Sequence, residues 1–119
     1  GHCNDVPGLL KGHQICVLST HYEGMPLSLI EGMAAGCAVV GSQVVGVQEV
    51  VDSGRTGLLV EHSNPQALAD ALATLLNQPQ DAARMAAAAH AEVLQRYGLN
   101  TMTDRYEALL GSLLEKPVL

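Results

Sequence analysis

Apolar residues recur along this chain in two rhythms. Three short continuous runs, within Gln14 to Ser19, Ala38 to Gly41 and Leu58 to Glu61, read as strands covered on both faces, the kind that build a parallel sheet. The segments around them carry apolar residues at helical spacing. Val6, Leu9 and Leu10 mark a first helix, with Asp5 as cap, Pro7 in the first turn and Gly12 closing it. A second helix opens at Pro26 and ends at Gly36. Val47 to Val51 predicts a short helix, opened by Glu49, before a turn over Gly54 to Gly57. Ser63-Asn64-Pro65-Gln66 carries cap and proline signals for a helix whose Ala67, Leu68, Ala71, Leu72, Leu75 and Leu76 form one face. Gln78-Pro79 breaks it, and Gln80 to Tyr97 forms another helix, capped by Gly98. The last helix starts at Asn100 or Thr101, lines Met102, Tyr106, Leu109, Leu110, Leu113 and Leu114 along one side, and stops at Pro117.

Strand, loop, helix and strand in succession make a βαβ unit. Three such strands with helices between them predict an α/β fold: half of a Rossmann-like, doubly wound parallel sheet of about three strands, helices on both faces, and further helices at the C-terminal end.

The candidate chemistry lies in the first loop and the helix that follows it. A proline in the first helical turn leaves no orphan N–H of its own, and the N–H groups of Leu27, Ser28 and Leu29 are expected to point into the loop. A helix start carries roughly half a positive charge and free donors, which suits phosphate. Gly24 lets a ligand approach the backbone. Glu31 lies about 6 Å along the axis from Leu27, at about 1.5 Å per residue. A ligand with phosphate at the helix start then has Glu23 at one end and Glu31 at the other. Carboxylates accept hydrogen bonds from sugar hydroxyls. The pattern fits a diphosphate flanked by two polyols, a nucleotide sugar. The alternative is that both are ordinary solvated carboxylates. His21 sits just past the end of the first strand, where open α/β sheets bind ligands, and is also readable as a plain surface residue.

Composition narrows the class. At 119 residues the chain makes one domain at most. Three Tyr and no Trp or Phe leave Leu, Val, Ala and Met to fill its core. A net charge of −6 argues against nucleic acid as a partner. Cys16 and Cys37 fall in apolar runs and read as buried thiols, which suits a reducing compartment. The histidines lack metal spacing, and no run approaches the ~20 apolar residues that span a bilayer. No Gly-x-Gly-x-x-Gly follows a strand, so a dinucleotide oxidoreductase is disfavoured.

The run from Glu23-Gly24-Met25-Pro26-Leu27-Ser28-Leu29-Ile30-Glu31 through Gly36 resembles the Glu, seven residues, Glu motif of the retaining glycosyltransferases of family 4 (glycosyl transferases group 1). Asp5 to Leu10, Val45 to Val51 and Gly54 to Val60 resemble the flanking segments of that family, in order and spacing, over roughly residues 5 to 75. Ala38 and Gln48 stand where the family usually has proline.

The resemblance implies a donor site made by Glu23, Gly24, Met25, Pro26, Leu27, Ser28 and Glu31. Glu23 would attend the sugar near the reacting carbon and Glu31 the ribose. His21 and Glu49 are further candidates; for Glu49 a capping role stays equally open. No metal and no cofactor are expected, the nucleotide sugar being the substrate. The family is a two-domain GT-B fold, so residues 1 to 119 are expected to be part of the C-terminal domain, without the acceptor-binding N-terminal domain and inactive in transfer alone. Lys11 and Arg55 do not match the basic residues that the family places against the diphosphate. The parent enzyme is expected in the cytoplasm, at most peripheral to the inner membrane face, with a sugar or lipid-linked acceptor. In the family a terminal helix packs back against the N-terminal domain. The free edge of the first strand is expected to seek a partner, such as a second copy. The competing reading is a nucleotide-binding or structural remnant without transferase activity.

Overall fold

The computed structural model describes residues 1–114; Pro117, expected to stop the last helix, lies outside them. In chain order the elements are α1 (Val6–Lys11), β1 (Ile15–Leu18), α2 (Leu27–Ala34), β2 (Ala38–Ser42), α3 (Val45–Gln48), β3 (Leu58–Val60), α4 (Pro65–Asn77), α5 (Pro79–Arg96) and α6 (Leu99–Leu114).

The strands pair in parallel in the order β1-β2-β3, with Ile15 opposite Ala38 and Val40 opposite Leu58. All of β2 is buried, because successive side chains of a strand point to opposite faces and helices cover both. Val39 joins Leu29, Ile30 and Met33 of α2, Val47 of α3, and Ala89 and Val93 of α5 in one core. Its neighbours Ala38 and Val40 enter a second core with Ala71 and Leu75 of α4 and Met85 of α5. The expected α/β architecture is therefore present.

Local chemistry sets the helix ends. The Asp5 carboxylate accepts from the Gly8 N–H at 2.9 Å, and the Asn64 side chain accepts from the Ala67 N–H at 2.9 Å with Pro65 behind it. α2 ends in a Schellman turn: Cys37 N–H donates to the Gly32 carbonyl, and Gly36 N–H to that of Met33. That turn needs a left-handed residue, and Gly36 supplies it at φ +85°.

Two expectations about ends fail. The short helix runs Val45–Gln48, so Glu49 stands at its C-terminal cap instead of opening it. A carboxylate there opposes the helix dipole, so the capping role is lost. Gly98 does not close α5; Tyr97 is the cap, and the Gly98 carbonyl accepts from Met102 N–H at the start of α6. The last helix accordingly begins at Leu99.

An ion network ties the turn before β3 to α5. Glu92 accepts from Arg55 and, at 2.7 Å, from Arg96; Arg55 also bonds Asp52, and Arg96 reaches the Glu49 carbonyl. These contacts hold the Glu92 carboxyl below its ordinary range, Arg55 first and Arg96 second. Along α6 no described residue is buried.

Candidate functional site

The loop after β1 and the start of α2 form the C-terminal rim of the sheet, the side on which open α/β folds bind ligands. Leu29, Ile30, Gly32 and Met33 turn α2 onto the sheet and are buried. That places Leu27, Ser28 and Glu31 together on its exposed face, as spacings of three and four residues require. Glu23 is half-buried in the loop. Around Gly24 the space is open: a Cβ added there meets nothing within 4 Å. Met25 is exposed, and Pro26 is buried.

The helix start differs from the simple expectation. Pro26, with φ −79° and ψ 73°, takes the cap position and forms an inverse γ-turn. That turn brings the Leu27 N–H onto the Met25 carbonyl at 2.9 Å, and Leu29 N–H closes on the Pro26 carbonyl at 3.0 Å. Of the three donors expected to be free, the Ser28 N–H alone has no protein partner among the described residues.

The loop owes its shape to a glycine that the sequence reading passed over. Gly46 in α3 lies under it so closely that a Cβ would stand 2.2 Å from the Glu23 carbonyl oxygen and 2.5 Å from that of Gly24. Real Cβ atoms do not approach so near, so this position must lack a side chain. α3 thus buttresses the loop through its backbone, while exposed Glu49 lies at the far end of that short helix.

Beside Met25 and Leu27, an apolar cavity of about 360 Å³ opens between α2, the end of α5 and α6, with Arg96 and Arg105 at its wall. His21 lies on another side of the loop. Its ring meets that of His62 edge to face at 5.9 Å, and its Nδ1 is 3.3 Å from the Ser63 hydroxyl. His62 carried no signal in the sequence beyond its type, and Ser63 only that of a helix start.

Arg55 is taken up by Asp52 and Glu92. Lys11 lines a cavity with Gln14 and Ile15, at the opposite end of the strands. Neither stands with the loop. Cys37 is buried and Cys16 half-buried, both free. Burial pushes both thiols up, which makes them inert packing groups. No group of three or more His, Cys, Asp or Glu able to hold a metal ion occurs among the described residues. No helix among them is long and apolar enough to cross a membrane.

Known proteins resemble this chain in sequence and in fold. The family model for glycosyl transferases group 1 matches residues 1–78. An α-1,3-N-acetylgalactosaminyltransferase of Campylobacter jejuni, acting on N,N'-diacetylbacillosaminyl-diphospho-undecaprenol by its name, is 30% identical over 115 residues; these cover 97% of this chain and 30% of that protein. A D-inositol 3-phosphate glycosyltransferase of Streptomyces scabiei is 41% identical over 84 residues, 69% of this chain and 19% of that protein. Among solved structures, Anabaena Alr3699/HepE in complex with UDP superposes with a TM-score of 0.89 at 26% identity, over 92% of this chain and 30% of that one. The chain thus spans less than a third of the length of these relatives. With a matching model over more than half its residues and the same parallel sheet in a UDP-bound structure, the chain belongs to the glycosyl transferases group 1 family.

Proposed function

We propose that this chain is the donor-binding portion of a retaining glycosyltransferase and that its loop and α2 hold a nucleoside diphosphate sugar. One observation carries the reading: the start of α2 is open to solvent, with Glu31 on the same face as a Ser28 N–H that has no partner among the described residues. A diphosphate there accepts the hydrogen bond and lies at the positive end of the helix. Glu31 accepts from the ribose hydroxyls. Glu23, in the loop, accepts from the sugar hydroxyls near the reacting carbon. Gly24, Met25, Pro26 and Leu27 shape the backbone between them.

In the reaction, the bond between the anomeric carbon and the phosphate oxygen breaks. The acceptor oxygen bonds to that carbon on the same face, and its proton passes to the leaving phosphate. The role of this chain is to stabilise the charge growing on the diphosphate. No metal is invoked. Transfer needs an acceptor site as well, so donor binding is the activity expected of these residues, and α6 is the element expected to reach a second domain.

Calorimetric titration with UDP, GDP and ADP and their sugars tests the reading. One nucleotide is expected to bind, and Glu31→Ala to weaken it by roughly 10- to 150-fold, the loss of a hydrogen bond to a charged group of about 1.5–3 kcal/mol. A folded chain that binds none of them favours a structural remnant. Unchanged affinity in Glu31→Ala removes the ribose assignment.

A further inference from the structure

A second feature on the same rim includes His21, a further donor-site candidate, but none of the residues from Glu23 to Glu31 to which the donor reading assigns a role. Where β1, β2 and β3 end, a cavity of about 250 Å³ opens, lined by His21, Ser42, Glu61 and Ser63 on its polar side and by Val60 and Leu68 on its apolar side. We propose that this cavity is a binding site for a single neutral, hydroxylated ring, a monosaccharide or cyclic polyol.

The polar groups are of both kinds. Ser42 is 4% exposed; its hydroxyl accepts from the Thr20 N–H at 3.0 Å, and its own proton is given to no group among the described residues. That is a buried donor with spare capacity. Glu61 accepts from Asn64 through one carboxylate oxygen, Oε2, and keeps the other as an acceptor. The His21 ring shares a proton with Ser63 on Nδ1, and its other nitrogen has no protein partner among the described residues. A hydroxyl is donor and acceptor at once, so such a mixture suits several hydroxyls on one ring. The C–H face of the ring then lies on Val60 and Leu68.

An anion suits it poorly. No Lys or Arg lines the cavity, and Glu61 does, so a phosphate would meet a like charge without a counter-charge.

The backbone is strained in support of this arrangement. Ser63 is the one non-glycine residue with positive φ among the described residues, at +60°. A left-handed backbone is unfavourable for an L-residue and persists where the surroundings over-determine it. Here the strain accompanies the Ser63 hydroxyl at the His21 ring, which the His62 ring also meets edge to face. The class of ligand stands without the donor reading; a role for the ring as acceptor would rest on it.

NMR titration of the whole chain tests the proposal, with glucose, myo-inositol, inorganic phosphate and UDP as separate probes. At least one of the two polyols is expected to shift the His21, Ser63 and Ser42 signals with millimolar half-saturation. UDP is expected to shift the Ser28 and Glu31 signals instead. Ser63→Gly keeps the left-handed turn and is expected to leave the fold at least as stable while weakening the polyol about tenfold; His62→Ala should weaken it as well. Polyol shifts with no response to UDP would overturn the donor reading and leave this proposal standing. Shifts at His21 and Ser63 from phosphate but from neither polyol would overturn it, as would no response to either polyol, or full affinity in Ser63→Gly with its amide spectrum intact.

Discussion

Gly46→Ala puts the buttress under the donor loop to the test. The new Cβ would stand 2.2 Å from the Glu23 carbonyl oxygen, whereas ordinary contact begins at 3.4 Å, so that oxygen must retreat by 1.2 Å. The obstacle is backbone, which cannot swing aside as a side-chain end can. Forcing a methyl group into such a place costs about 1–3 kcal/mol. For a domain of this size that is a fall of roughly 4–12 °C in melting temperature. The displaced segment also carries Glu23, so nucleotide-sugar affinity should fall with the stability. Gly24→Ala is the matched control: its Cβ meets nothing within 4 Å, so the melting temperature should hold within about 2 °C, the scale of a surface change. Thermal melting by circular dichroism and amide shifts of Glu23 and Gly24 read the outcome. A Gly46→Ala chain that melts with the parent and keeps those two shifts would refute the account of how the loop is held.

Other perturbations follow from the packing and the ion network. Leu29 is fully buried between α2 and the sheet, so Leu29→Ala should cost about 2–5 kcal/mol in urea unfolding, with little change in slope. Glu92 titrates below its ordinary value when folded because Arg55 and Arg96 hold its charged form. Its contribution is therefore complete above the unfolded value, about 4.3, and is lost as the pH falls through the lower folded value. Melting temperatures measured from pH 7 down to pH 3 should fall more steeply for the parent than for Glu92→Gln, and parallel curves would count against the network.

The elements were legible because each rests on signals close in sequence. Asp5, Asn64 and Pro65 announce their helices, Gly36 announces an end, and the runs at Ile15 and Ala38 can only be strands between helices. What escaped was set by contacts distant in sequence or by ambiguous local chemistry. Val44 to Val51 is apolar almost throughout, so neither period fixes where the short helix begins; packing of Gly46 under Glu23 does, and it leaves Glu49 at the wrong end. Pro26 was seen to open α2, but its ψ decides which N–H groups stay free. Gly98 stands between two helices, and its type does not say which one it serves. Nothing about Ser63 foretells a left-handed backbone. The exposed face shared by Leu27, Ser28 and Glu31, by contrast, followed from helical spacing alone.

The dual service of α5 has a mechanical meaning. Met85 plugs one core, while Ala89 and Val93, a turn or two later, plug the other, so neither side of the sheet can loosen without drawing the same rod out of its seat. Amide exchange on the two faces should then be governed by one shared opening event, and the small sheet should melt as a single cooperative block.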